Sequence, residues 1–209
     1  VNEPNAGSDV ASIRTTAKKT AQGYIINGSK TFITNGVLSD FLIVAAQTQS
    51  AHNKGISLFL VERERSGIQA HALQKLGWKA SDTAQIALQD VQIPAQNLIG
   101  ELHQGFYYIM QNFALERLIL AIGAIAASQY ALEYSLQYMS QRKAFGRSIN
   151  KFQVLRHRVA QLASQIELQK TYNYTICKAF DDGHNVVQQC AMAKLMSTES
   201  VSYTHLTLP

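Results

Sequence analysis

The 209-residue sequence is 46% apolar and 16% charged, with a net charge of +5, and its length suits one large domain or two small ones. The low proline content and the lack of low-complexity runs argue against disorder. Cys177 and Cys190 lack the spacing of a disulfide framework or a zinc site, and the histidines are dispersed, so we predict no metal site. No signature of a nucleic-acid-binding module accompanies the basic residues, so we expect no nucleic-acid partner.

The longest apolar run, 118–127, is shorter than the roughly 18 residues that a spanning helix needs. We therefore expect a buried helix there and no membrane span. No secretory signal is visible. Because the sequence opens at Val1, directly before the dense motif 2–9, we expect it to be a fragment of a longer protein.

The first hundred residues are predicted to form β-strands. Tight turns are expected at Asn27-Gly28 and Asn35-Gly36. No helical spacing long enough for a βαβ crossover separates the strands, which favours an antiparallel sheet or barrel. The predicted strands are 23–26, 31–34, 41–46, 56–61, 68–72 and 86–93.

From residue 101 the apolar spacing becomes helical. It predicts a long helix from Phe106 through the apolar run, a second that includes 152–166, and a third that starts near Asn185. Gly183 suits a left-handed cap at the end of the second helix. The predicted fold class is thus α+β and multidomain: an antiparallel, barrel-like β domain at 1–100, then an antiparallel helical bundle at 101–199.

Two motifs in the β region could bind a ligand. The loop Ala6-Gly7-Ser8-Asp9 offers backbone amides and a hydroxyl to a ligand; the alternative is an ordinary turn in which Asp9 caps a short helix. Strand alternation places Phe32 and Thr34 on one face, where a ring and a hydroxyl could contact a flat heterocycle. The alternative is a core phenylalanine beside an exposed threonine.

Two further motifs belong to the helical region. Glu116 precedes the apolar run, and desolvation there would suit a general base; the alternative is a solvated helix end. Arg117 points elsewhere because a helix turns by about 100° per residue. The basic residues of 142–147 flank a glycine turn, where they could bind a pyrophosphate or simply cap the first helix.

In this order, the motifs resemble those of the acyl-CoA dehydrogenase family of flavoproteins. Residues 2–9 match the family's T-E-P-x-A-G-S-D signature, residues 27–36 match N-G-x-K-x-W-I-T-N-G, and residues 142–146 match R-x-x-F-G. Shorter matches lie at 77–83 and 91–94. The resemblance covers about 1–199, so 200–209 is expected to be a tail outside the family. Asn2, Phe32 and Ala114 stand where relatives commonly carry Thr, Trp and Asp.

The resemblance implies FAD-dependent α,β-dehydrogenation of acyl-CoA thioesters, in which a base removes the α proton and the β hydrogen leaves as hydride to flavin N5. It also implies an N-terminal helical domain, which is missing here, a homotetramer, and an electron-transfer flavoprotein as electron acceptor. The compartment would be the bacterial cytoplasm or the mitochondrial matrix. An acyl-CoA oxidase, another flavoenzyme on the same fold and an inactive fragment remain alternatives.

Site residues follow from the same resemblance. Glu116, in Leu115-Glu116-Arg117-Leu118, matches the base of the long-chain and isovaleryl branches, and Arg117 matches an arginine of the substrate channel. Ser8 would also lie near the substrate thioester. Arg142, Phe145 and Gln153 would hold the adenine and pyrophosphate of FAD across a subunit interface. The flavin ring would be contacted by Val1, Asn2, Gly7, Ser8, Phe32, Ile33 and Thr34.

Overall fold

The structure is a computed structural model that describes residues 1–49 and 55–207. The chain forms two compact units, Val1–Met110 and Gln111–Pro209. The division falls inside a helix, downstream of the predicted domain boundary at residue 100. The first turn of that helix belongs to the first unit, where Gly105 lies against the backbone of Ile56 and Ser57.

The first unit contains a seven-stranded sheet in the described residues, with the strand order β5-β6-β2-β1-β3-β4-β7. Neighbouring strands are antiparallel, except that β1 and β3 pair in parallel through Thr16 and Gln47. The largely antiparallel sheet, followed by helices, confirms the predicted fold class. The strands are β1 (Thr16–Thr20), β2 (Gly23–Thr34), β3 (Phe41–Gln47), β4 (Ile56–Glu62), β5 (Ile68–Ala72), β6 (Thr83–Pro94) and β7 (Leu98–Ile99).

Strand β2 continues through Asn27-Gly28, so the tight turn predicted there is wrong. The Asn27 side chain pairs with Asp90 of β6: its amide donates to Asp90 Oδ1 (3.0 Å), and its oxygen accepts from the Asp90 backbone N–H (2.8 Å). These bonds hold the dipeptide in the sheet. The second predicted turn, at Asn35-Gly36, is present directly after β2.

Two bulges of opposite sense lie between β2 and β6. The pairing slips by one residue after Ile26–Val91 and slips back before Ile33–Ala84. One residue at each slip has a left-handed backbone, namely Asp90 (φ 50°) and Phe32 (φ 55°). The second bulge restores the register of the pairing. Because a one-residue slip exchanges the faces of a strand, each bulge moves the inward positions of one strand, from Leu88 to Val91 in β6 and from Lys30 to Ile33 in β2.

The core of the first unit lies on one face of this sheet. Phe59 and Ile26 are fully buried, and the Phe59 ring packs against that of Tyr24 with 4.8 Å between centroids. Burial of such side chains contributes about 1.5–3 kcal/mol each. The inward residues of β6 show where the bulge falls, since the alternation of Ala84, Ile86 and Leu88 resumes at Val91 and Ile93.

The second unit is helical. Helices α1 (Gly105–Gln141), α2 (Gln153–Asp181) and α3 (Val187–Thr207) are joined by short segments. Helix α2 ends where predicted, and Gly183 has a φ of 78°. Buried apolar side chains pack together in the described part of this unit: Leu118, Ala121, Ile176, Val186, Cys190 and Ala193 form one cluster, and Ile125, Leu132, Leu162 and Ile166 form another.

Helix α3 runs through residues 200–207 of the segment predicted to be a tail outside the family, and residues 208–209 of that segment lie outside the described residues. The helix continues without a break to Thr207, so residues 200–207 extend the helix. Both cysteines lie in this unit as free thiols. Burial raises the pKa of the Cys190 thiol.

By length and composition alone, α1 could cross a membrane, with a mean hydropathy of 1.4 over its most apolar window. A core helix passes the same test, and α1 contributes Leu118, Ala121, Ile125 and Leu132 to the buried clusters. The helix is therefore weak support for a membrane span.

Candidate active site

The N-terminal motif forms a compact turn. Glu3 and Ala6 exchange backbone hydrogen bonds of 2.8 and 3.2 Å. Gly7 has open space on the side where a Cβ would lie, and the Ser8 side chain is exposed. Asp9 accepts a hydrogen bond from the Ser12 hydroxyl within the following short 3-10 helix, but it makes no side-chain cap to the backbone. The loop therefore presents a free hydroxyl and an uncovered backbone.

The structure brings this turn together with the end of β2. The backbone N–H of Thr31 donates to the Asn2 carbonyl oxygen (2.9 Å). The next residue, Phe32, is 67% exposed at its bulge, and Thr34 is also exposed. Phe32 and Thr34 were predicted to share a face because side chains alternate along a regular strand, and the bulge interrupts that alternation. Ile33, between them in the sequence, is half-buried, and so is Val1, next to Asn2.

A buried ion pair, which no sequence pattern predicted, underlies this junction. Lys30 Nζ lies 2.7 Å from Glu3 Oε1, and the two residues are 4% and 5% exposed. Glu3 also accepts hydrogen bonds from the Thr15 hydroxyl (2.6 Å), the Thr15 amide (3.1 Å) and the Arg14 amide. One sequence signal was present: alternation from Ile26 puts Lys30 at an inward position.

The surroundings of the pair explain its charge state. Burial alone would raise the pKa of Glu3, but the hydrogen bonds from Lys30, Thr15 and the Arg14 amide, with the Lys30 charge, hold it below the ordinary value. Burial lowers the pKa of Lys30, while the hydrogen bond and charge of Glu3 oppose that change. The carboxylate is thus ionised at neutral pH and has several donors.

Glu116 and Arg117 lie on α1 in the second unit. Glu116 is exposed, so its predicted desolvation is not found. The reason is geometric: buried Ala114 and Leu118 lie two residues away on either side, which places Glu116 on the opposite face of the helix. The Arg117 guanidinium lies 5.8 Å from the centroid of the Phe113 ring, so it is directed along the helix and away from Glu116.

The basic segment after α1 forms a small hairpin where the sequence predicted a glycine turn between helices. Strands β8 (Lys143–Ala144) and β9 (Arg147–Ser148) pair across Phe145 and Gly146, which both have positive φ. Phe145 is 94% exposed and meets the Phe152 ring edge-on. Arg142 and Gln153, at the two ends of this connection, are also exposed.

These side chains suit a flavin nucleotide. In the first unit, an exposed ring, two exposed hydroxyls and the open backbone at Gly7 match a flat heterocycle with a polar edge. In the second unit, the Arg142 guanidinium and the exposed Phe145 ring match a phosphate and a base. Among residues 1–49 and 55–207, no three His, Cys, Asp or Glu side chains are grouped to hold a metal ion.

Two models of known protein families match most of the chain. Residues 1–91 match the acyl-CoA dehydrogenase middle domain, and residues 103–205 match the acyl-CoA dehydrogenase C-terminal domain. The chain belongs to the acyl-CoA dehydrogenase family. The C-terminal match extends into the segment predicted to lie outside the family.

Relatives include members of both predicted branches. The long-chain specific acyl-CoA dehydrogenase of Sus scrofa mitochondria is 41% identical over 97% of this chain and 49% of its own length. The isovaleryl-CoA dehydrogenase of Pongo abelii mitochondria is 37% identical over 99% of this chain and 50% of its own. The chain therefore spans about half the length of the curated relatives that it matches.

Solved structures of similar fold support the same family assignment. A probable acyl-CoA dehydrogenase from Mycobacterium abscessus superposes with a TM-score of 0.95 at 38% identity, covering 98% of this chain and 55% of that one. A structure described as the FAD complex of PigA superposes with a TM-score of 0.93 at 30% identity, covering 98% and 54%.

Proposed function

We propose that the protein catalyses FAD-dependent α,β-dehydrogenation of acyl-CoA thioesters, with Glu116 as the catalytic base. The observation that carries the proposal is the bond between Thr31 and Asn2, which sets an exposed hydroxyl-bearing loop beside an exposed ring. Family membership supplies the reaction class. FAD, when bound, supplies an acceptor for the β hydrogen as hydride.

The first unit would hold the flavin ring. Phe32 would pack on its face, with Val1 and Ile33 alongside, while the hydroxyls of Ser8 and Thr34 and the polar groups of Asn2 and Gly7 would hydrogen-bond its edge. Ser8 would also lie near the thioester. Donors aimed at the thioester oxygen would stabilise the charge that develops when the α proton leaves.

Glu116 would remove the α proton of the acyl group. It is carried by a continuous helix, which fixes its backbone, and its carboxylate is open to a ligand. Arg117 leaves that carboxylate unpaired because its guanidinium packs on Phe113. Substrate binding over Glu116 would exclude water and favour proton transfer.

Arg142, Phe145 and Gln153 would hold the adenine and pyrophosphate of FAD bound mainly by another copy. Glu116 and the last residue of α1, Gln141, are about 37 Å apart along the helix axis at 1.5 Å per residue. That span exceeds one small-molecule site, which supports a shared site in a homotetramer. Electrons would then leave to an electron-transfer flavoprotein, in the mitochondrial matrix or the bacterial cytoplasm.

The test uses the protein expressed from its complete coding sequence. In Glu116→Gln, enoyl-CoA formation should fall by about 10²–10⁴-fold, the usual contribution of a positioned base, while bound FAD stays stoichiometric. Exchange of the substrate α proton with deuterated solvent should fall in parallel. Glu133→Gln, a matched change at another exposed glutamate of α1, should leave both rates within about twofold.

Other results point to the alternatives. Unchanged turnover in Glu116→Gln removes this residue from the mechanism. Hydrogen peroxide formed in proportion to enoyl-CoA, without an electron carrier, identifies an acyl-CoA oxidase. A protein that neither binds FAD nor forms enoyl-CoA is inactive, and the proposal then fails.

A further inference from the structure

A buried Glu–Lys pair stands out in a sheet whose other inward residues are mainly apolar. Lys30 takes an inward position on β2 among Ile26, Ile86 and Leu88, and its Nζ donates to both Glu3 Oε1 and the Ala45 carbonyl oxygen at 2.7 Å. Burying an ion pair often stabilises a fold no better than apolar residues of similar volume would. Its presence here calls for a role other than simple stabilisation.

The pair lies between two segments that carry candidate flavin contacts. Glu3 belongs to the turn that continues into Gly7 and Ser8, and Lys30 lies two residues before Phe32. Thr31, between Lys30 and Phe32, donates its backbone N–H to the carbonyl oxygen of Asn2, the residue before Glu3. A shift of either charged residue therefore moves one segment relative to the other.

Glu3 also joins the turn to the chain that precedes β1. Its carboxylate accepts from the hydroxyl and amide of Thr15 and from the amide of Arg14. Thr15 in turn is pressed against β2, because a Cβ at Gly28 would lie only 2.4 Å from the Thr15 hydroxyl oxygen. The Glu3 carboxylate thus holds three parts of the chain together: the N-terminal turn, the residues that precede β1, and strand β2.

We propose that Glu3 and Lys30 are positioning residues that hold the Val1–Ser8 segment and the Phe32–Thr34 segment in a single arrangement, so that the flavin binds in one pose. This rests on the proposed function for the identity of the ligand. The arrangement depends on the carboxylate of Glu3 specifically, since it receives backbone amides as well as the lysine. Exchanging the two charges therefore cannot reproduce it.

The first readout needs no flavin. In Glu3→Gln and Lys30→Met, hydrogen exchange at the Ala6 and Thr31 amides should accelerate by at least about tenfold, because each variant removes charge-assisted bonds from the junction. Amides in the middle of α2, in the second unit, should keep their protection. Glu62→Gln, which breaks the exposed pair of Glu62 with Arg65, is the matched control and should change neither set.

The second readout is FAD binding by the protein from its complete coding sequence. Both pair variants should weaken FAD binding by at least about tenfold and shift the visible absorption and circular dichroism of the bound flavin. The double variant Glu3→Lys with Lys30→Glu should remain defective. If a pair variant loses its far-ultraviolet circular dichroism, Thr15→Val replaces it, because this change removes one donor to Glu3 without leaving a charge unpaired.

The outcomes separate the two proposals. Suppose that the wild type binds FAD and that the pair variants show unchanged FAD affinity, flavin spectrum and hydrogen exchange. The positioning role is then wrong, and the proposed function stands. Full recovery in the charge-exchanged double variant also overturns the positioning role. A wild-type protein that binds no FAD contradicts both.

Discussion

Phe32 has a backbone conformation that a bulky residue rarely adopts. Its φ of 55° places it in the left-handed region, which costs about 1–2 kcal/mol for a residue with a Cβ. The ring is largely exposed, so packing offsets little of this cost. The bulge instead turns the ring outward beside the Val1–Ser8 segment, as bulges near ligand sites commonly do. We interpret the strain as the cost of presenting that ring.

Paired substitutions at Phe32 measure this strain. In an ordinary strand, glycine is less stable than alanine by about 0.5–1 kcal/mol. We expect the reverse at position 32, with the Phe32→Gly variant more stable than Phe32→Ala by about 1 kcal/mol in urea unfolding. Both variants lack the ring, so both should bind FAD more weakly than the wild type.

Phe41 provides the control. It is an exposed phenylalanine on β3 with no positive φ, so Phe41→Gly should be less stable than Phe41→Ala. The same order at both positions would contradict strain at Phe32.

The exposure and the polar partners of the candidate site residues were not equally predictable from the sequence. The exposure of Phe32 and Ser8 was compatible with their motifs, whereas the partner of Lys30 was hidden because Glu3 lies outside every predicted strand. The solvated position of Glu116 was one of two alternatives, and it follows from helix geometry once Ala114 and Leu118 are known to be buried. Local patterns give a residue's face, but they do not identify long-range polar partners.

At the scale of elements, the spacing of apolar residues predicted those helices and strands that bury a regular apolar face. The three helices and the central strands were found because their buried faces repeat regularly. Strand β1 was missed because only Ala17 of Thr16–Thr20 is buried, and β7 because it has two residues. The Asn27-Gly28 turn failed because a tertiary contact with Asp90 overrode a local preference.

Two exposed glycines should respond oppositely to the same substitution. An added Cβ has no neighbour within 4 Å at either Gly183 or Gly123. Gly183 ends α2 with a φ of 78°, so Gly183→Ala should lower the free energy of unfolding by about 1 kcal/mol. Gly123 lies inside α1, so Gly123→Ala should raise it by up to about 1 kcal/mol. Urea denaturation followed by helical circular dichroism tests both; a loss at both positions would refute the conformational explanation.

At the scale of the whole molecule, the candidate site residues form separate sets along the chain. Different copies of the chain in an oligomer could contribute these sets to one shared site. The turn and bulge set lies in the first unit, whereas Glu116 lies in the first third of α1 and the β8–β9 hairpin follows the last residue of that helix. Helix α1 also exposes large apolar side chains along much of its length, among them Ile119, Leu120, Tyr130 and Tyr134. Exposed apolar surface of this extent commonly marks an interface, and aromatic residues are enriched in such surfaces.

We therefore expect the protein to be a homo-oligomer whose assembly involves α1. Replacing Tyr130 and Tyr134 with aspartate should shift the assembly to smaller species in sedimentation velocity, since a buried tyrosine at an interface can contribute about 2 kcal/mol. Gln22→Asp, which adds a charge at an exposed loop of the first unit, should not. If residues 142–153 serve a neighbouring copy, FAD should bind more weakly as the assembly dissociates, so that affinity depends on protein concentration. A monomeric wild type that binds FAD independently of concentration would show that each copy completes its own site.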